Sequence, residues 1–309
     1  MDIENKQHRI EKDSLGEVNV PMGSYYGAQT VRARENFPIS GIRPHQAFIK
    51  SMVYIKRAAA KVNNELGCLD DEKGKAIINA ADRIIAGEFQ DQFVVDVYQA
   101  GAGTSCHMNV NEVIANIAIE SLGGKKGDYS VIHPNDHVNF GQSTNDVFPT
   151  AMRIAALSLL TELFPVVDEL ADRLNEKVEE FDSIIKSGRT HLQDAAPIKL
   201  GQEFCGYASA VSKAVEKIRR ASDALKELGI GGTAVGTGLN THPDYAHKII
   251  FELNEITGLG VRASSNYFEA MQSNAPVTEV SGAVKVLAIE LIRIANDLRL
   301  LSSGPKTGL

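Results

Sequence analysis

The sequence predicts a mainly α protein: an irregular N-terminal domain with short strands, then a long central helical bundle. Three observations carry that prediction. Two long stretches space aliphatic residues alternately three and four apart, as a helix does when it buries one seam. The 309-residue chain has no Trp and only 6% aromatics, so its core is aliphatic, which suits closely packed helices. Its first part carries Pro21, Gly23, Gly27, Pro38, Gly41 and Pro44, which interrupt helices.

Residues 1–45 therefore read as irregular chain with one or two short strands. Helical periodicity follows at 46–66, 71–88 and 109–122, and Gly123–Gly127 is a turn. The polar segment His133–Asp146 leads into a helix over 143–181. Its stripe is Leu157, Leu160, Phe164, Val167, Ala171, Leu174, Val178 and Phe181, and Pro165 is expected to kink it. A helix over 201–227 aligns Phe204, Tyr207, Val211, Val215, Ile218 and Leu225. Gly229–Asn240 is glycine-rich but lacks the Lys-Ser/Thr of a phosphate loop and a surrounding βαβ unit. It reads as a tight connection where backbone passes close to backbone, or alternatively as a loop beside a substrate. The last helix, near 277–301, carries Val277, Val280, Val284, Leu287, Leu291, Ile294, Leu298 and Leu301. Helices this long exceed the usual mean of about 11–12 residues and argue for a bundle completed by other subunits. The domains divide as 1–142 and 143–309.

Composition excludes several classes. Net charge is −7 and the basic residues are scattered, so no nucleic-acid partner is expected. No apolar run approaches the ~20 residues of a membrane span. The first residues show no export signal, and the three cysteines (Cys68, Cys106, Cys205) fit a reducing compartment, so the expected location is cytoplasmic.

Three polar clusters interrupt the aliphatic background. They are Gly101–Ser105 with Asn109 and Asn111, the segment His133–Asp146, and Gly188–Asp194. Each joins small residues to hydroxyls or amides near a helix start, where backbone N–H groups and a positive helix end attract a small anion such as a dicarboxylate. Each also has a plainer reading. Thr104 and Ser105 could cap a helix, Ser143 or Thr144 could be an N-cap with Asp146 in the first turn, and His191 could be a core histidine. No set of His, Cys, Asp and Glu has convincing metal spacing; His133, Asp136 and His137 are only suggestive.

Gly101-Ala-Gly-Thr-Ser105, His133-Pro-Asn-Asp-His-Val-Asn139, Gln142-Ser-Thr-Asn-Asp146, Gly188-Arg-Thr-His-Leu-Gln-Asp194, Leu200-Gly-Gln-Glu-Phe204, Gly236-Thr-Gly-Leu-Asn240 and Asn296-Asp-Leu-Arg-Leu-Leu-Ser-Ser-Gly-Pro305 resemble the fumarase/aspartase superfamily. Its aspartate ammonia-lyase branch is the most similar, through Gly101–Ser105 and Asp91–Gln99, whereas Val147–Met152 leans towards fumarase. The resemblance implies the L-aspartase-like fold. It also implies reversible elimination of ammonia from L-aspartate to give fumarate through an aci-carboxylate, with no cofactor and no metal ligands. Thr104, Ser143, Thr144, Asn145, Thr190 and His191 would bind the substrate, with Thr190 and His191 the catalytic pair. His133, Asn135 and Asp136 resemble a secondary anion site. The partners implied are a small dicarboxylate and, at full length, three more copies in a homotetramer. Family members continue into a Gly-Ser-Ser-x-Met-Pro-x-Lys-x-Asn loop that supplies the Ser base and a carboxylate-binding Lys. The chain reaches Leu309 before such a loop. The bundle is therefore expected to be incomplete, and these 309 residues alone to bind dicarboxylates weakly with little lyase activity. The alternatives are a fumarate hydratase and a non-catalytic helical assembly protein.

Overall fold

The computed structural model describes residues 8–304. In chain order its elements are β1 (His8–Asp13), β2 (Gly16–Pro21), α1 (Ala28–Asn36), α2 (Gln46–Glu65), α3 (Asp71–Ile85), α4 (Thr104–Ser121), α5 (Thr144–Glu180), β3 (Ile185–Thr190), β4 (Gln193–Lys199), α6 (Leu200–Asp223), β5 (Glu227–Leu228), α7 (Tyr245–Thr257), β6 (Arg262–Ala263), α8 (Tyr267–Gln272) and α9 (Ala275–Leu301). The fold is mainly helical, as the sequence predicts. Two compact units form: one takes the chain up to Ala156 together with Lys226–Asn274, the other Leu157–Leu225 together with the chain from Ala275. The expected division at 142/143 follows chain order, whereas the units interleave, because 226–274 folds with the first unit.

In the first unit, α4 is the hub. Every residue from Cys106 to Ile119 is buried, so neighbours cover it on all sides. β1 and β2 form an antiparallel hairpin, the short strands expected in the irregular segment. Sequence periodicity misses α1 because its cap comes from far along the chain. The Glu112 carboxylate of α4 accepts from the backbone N–H of Gly27, Gln29 and Thr30 and from the Thr30 hydroxyl, at 2.6 to 3.1 Å. A carboxylate there opposes the positive helix end. Burial pushes the Glu112 carboxyl up to about 7, against those hydrogen bonds. α2 packs against α3, α4 and α7, and the two-stranded parallel pair β5–β6 sits beside α8.

In the second unit, the predicted stripe of α5 is largely realised. Leu157, Leu160, Val167, Ala171 and Leu174 are buried. The helix continues through Pro165. α6 buries all six of its predicted stripe residues or carries them into the turn that follows. It meets α5 through Arg219, which lies over the Phe164 ring and pairs with Asp168, and through the Phe181–Phe204 edge contact. α6 packs against α9. There the predicted seam splits: Val280, Leu287 and Ile294, seven apart, are buried, while Leu291 and Leu298 stay exposed. β3 and β4, which periodicity does not reveal, form an antiparallel hairpin ahead of α6.

Candidate active site

The N-terminus of α5 builds one of two similar-sized clefts in the first unit. Ser143 Oγ accepts from the Asn145 backbone N–H at 3.2 Å, while Ser143 N–H donates to Asp146 Oδ1 at 2.9 Å. That is a reciprocal cap of the Ser-x-x-acid kind, so the plainer reading of Ser143 and Asp146 is correct. It also has a second consequence. With its neighbours committed to the cap, Thr144 and Asn145 are directed into a cleft of about 500 Å³. Gly101, Ala102, Phe148, Ala234, Val235 and Phe268 line it with them.

Three connections fix that wall. Asp146 is buried, and its Oδ2 accepts from the backbone N–H of Gly231 and Thr233 at 3.1 and 3.0 Å. The glycine-rich segment is thereby tied to α5, with Thr233 held at φ +58, a conformation a β-branched residue rarely adopts. Its carbonyl at Ala234 accepts from Asn145 Nδ2 at 2.8 Å. The segment is thus both a tight connection and a wall of the cleft. Gly232 passes close to the backbone of Gly229 and Gly236 as well as to the Met271 side chain, and Gly236 packs on the Phe268 ring. On the opposite side Gly103, at φ +81, packs on the Phe148 ring, where a Cβ would sit 2.2 Å from Cδ2.

Beneath Thr144 lies a polar file that the sequence does not disclose. Thr144 Oγ1 is 2.7 Å from His107 Nδ1, and His107 Nε2 is 2.5 Å from Lys56 Nζ. Lys56 also donates to Asn139 Oδ1 at 2.7 Å and Gln142 Oε1 at 2.9 Å. Lys56 and His107 are buried. Burial lowers the Lys56 pKa well below the usual lysine range, against the attraction of Asp146. Burial and the Lys56 charge likewise lower His107, so its imidazole is neutral. Burial raises the Asp146 carboxyl to about 6, opposed by its backbone hydrogen bonds and by Lys56.

The other expected residues fall as follows. Thr104 is the exposed first residue of α4, next to Gly103, and does not line this cleft. Thr190 and His191 belong to the second unit, at the end of β3 and in the turn after it. His191 is exposed, so it is not a core histidine. With Leu192 it forms a two-residue hairpin turn at φ +50 and +59, where Asn-Gly is the usual choice. His133 and Asn135 line a second cleft of about 490 Å³ with Lys12, Arg32 and Ser105; Asp136 does not line it. His133 Nδ1 accepts from the N–H of Asn135 and Asp136, both at 3.2 Å. Among the described residues no group of three or more His, Cys, Asp or Glu is placed to hold a metal ion.

The first unit thus sets hydroxyl and amide side chains at the N-terminus of a long helix, beside a cleft. A family model described as Lyase matches residues 16–309. The chain belongs to that family, the fumarase/aspartase superfamily. It is 50% identical to an aspartate ammonia-lyase of Bacillus sp and 52% identical to a class II fumarate hydratase of Halobacterium salinarum, each alignment covering 99% of this chain. The chain spans about 65% of the length of these curated relatives. A crystal structure of fumarate lyase:delta crystallin from Brucella melitensis bound to cobalt superimposes with a TM-score of 0.95 at 45% identity, covering 98% of this chain and 66% of that one.

Proposed function

We propose that the protein is an ammonia-lyase that reversibly eliminates ammonia from L-aspartate to give fumarate through an aci-carboxylate intermediate. The observation that carries this reading is Thr144 beside Asn145 on the first turn of α5, lining a cleft of about 500 Å³ with ample room for a small dicarboxylate. In this reaction a base removes a Cβ proton and charge gathers on the adjacent carboxylate. Fixed donors aimed at that charge lower the barrier without reorganising. Thr144 and Asn145 hold the substrate from the cleft wall. Thr104 at the start of α4 and Ser143 at the α5 cap, neither of them in the lining of this cleft, are the further contacts proposed for the carboxylates and amino group. Thr190 and His191 complete the set as the catalytic pair, with an imidazole N–H donated to the β-carboxylate. His133, Asn135 and Asp136 form a secondary anion site. No cofactor takes part, and the working form is a cytoplasmic homotetramer whose subunits share active sites.

A second reading, hydration of fumarate to malate, has its own support in the 52% identity to a fumarate hydratase. L-aspartate and L-malate offered separately to a protein of the relatives' full length distinguish the two, with fumarate followed by its ultraviolet absorbance. Aspartate is the expected substrate, and Thr144→Val is expected to lower kcat roughly 10²-fold. Malate turnover without aspartate turnover makes the protein a hydratase. Turnover of neither, with no fumarate binding, leaves the assembly role.

A further inference from the structure

Lys56 and His107 touch no part of the cleft, yet they are the polar support behind Thr144. The bonding pattern restricts how protons are arranged along this file. Gln142 Nε2 donates to the carbonyls of Val138 and Phe140, both at 3.2 Å, so Oε1 is the atom turned towards Lys56. Asn139 Nδ2 donates to the Gln142 carbonyl at 3.4 Å, which turns its Oδ1 the same way. Two Lys56 protons are thereby committed to amide oxygens. The third direction from Nζ points at His107 Nε2, 2.5 Å away.

Two arrangements satisfy these groups. An ammonium at Lys56 donates its third proton to Nε2. Nδ1 then carries the ring proton and donates to Thr144 Oγ1, and the Thr144 hydroxyl proton is left to point into the cleft. A neutral amine instead accepts from Nε2–H. The threonine must then donate inward, and only lone pairs face the cleft, which repel a carboxylate. Burial opposes the ammonium and lowers the Lys56 pKa well below the usual range; the acceptors around Nζ and the Asp146 carboxylate, which draws that pKa back up, support the first. His107 on α4 is neutral, Asn139 and Gln142 are neutral acceptors, and Asp146 on α5 is the nearby carboxylate, with the Tyr245 phenol of α7 also within its field.

We propose that Lys56 and His107 are positioning residues: a buried file that fixes the Nδ1–H tautomer of His107 and so commits the Thr144 hydroxyl as a donor to a ligand carboxylate. The ligand part of this rests on the reading of the cleft as a dicarboxylate site; the tautomer part does not.

The test uses this chain with ¹⁵N-labelled histidine and no ligand. The His107 resonance, identified by its loss in His107→Leu, is expected to show a protonated Nδ1 and a bare Nε2 at neutral pH. A protonated Nε2 overturns the proposal. Fumarate binding is then measured by calorimetry for the native chain, His107→Leu, Thr144→Val and the double variant. His107→Leu and Thr144→Val are each expected to weaken binding roughly tenfold, and the double variant no more than either. Additive losses mean that His107 does not act through Thr144 and also overturn it. Absence of fumarate binding by the native chain counts against the dicarboxylate reading, while the tautomer still decides the file.

Discussion

Asp146 shows how much one residue carries at this site. The same carboxylate caps α5, anchors the Gly231–Thr233 backbone and faces Lys56. Burial raises its pKa to about 6 from an ordinary 3.8. Between those two values the folded chain binds more protons than the unfolded one, so this group's contribution to stability falls as pH rises and levels off above about 6. The whole effect is about 3 kcal/mol, at 1.36 kcal/mol per unit. Asp146→Asn keeps an acceptor for the backbone N–H groups but cannot ionise. Urea denaturation from pH 4 to 7 is therefore expected to show native stability falling relative to this variant; parallel pH curves would exclude a raised pKa. Asp146 reads in the sequence as a first-turn acid, which is true. Its partners 85 and 87 residues away could not be read, because no local spacing encodes them.

Elements were legible in proportion to the apolar contrast between their faces. α2, α5, α6 and α9 have long stripes, and the sequence finds them within a few residues. α4 was partly found, from 109 rather than Thr104, because its first turn is a polar cluster and its remaining positions are buried on every side. α1 depends on Glu112 for its cap, and β3–β4 is short and largely exposed, so neither leaves a periodic signal. The hairpin also lacks the expected turn residues: His191 and Leu192 both take left-handed backbone conformations. Strain of about 1 kcal/mol at such a residue persists where function requires its side chain. His191→Gly is thus expected to raise the thermal midpoint of the chain slightly while abolishing most turnover in the full-length protein. A lower midpoint with unchanged turnover would show that the histidine serves the turn alone.

At the scale of the molecule, the interleaving of the two units was hidden because chain order carries no signal that 226–274 returns to the first. The heptad pattern, by contrast, carried more information than one helix pair uses. In α9, which packs against α6, the row Val280, Leu287, Ile294 is buried with Leu291 and Leu298 exposed at its edge, while on the opposite face Ile289 and Ile292 remain 54% and 61% exposed. In α5, Val166 is 66% exposed and Leu159 and Leu170 are exposed too. Exposed apolar side chains on long helices are the kind of surface that closed symmetric assembly covers without leaving a free edge. Sedimentation of the chain is therefore expected to show self-association, with a homotetramer as the largest discrete species. Ile289→Glu combined with Ile292→Glu places two charges in that surface while leaving the α6-facing row intact. It should shift the distribution to monomer with unchanged helix content by circular dichroism. A native chain that stays monomeric at tens of micromolar would remove the assembly from the proposal, and a variant that still associates would move the interface away from this face of α9.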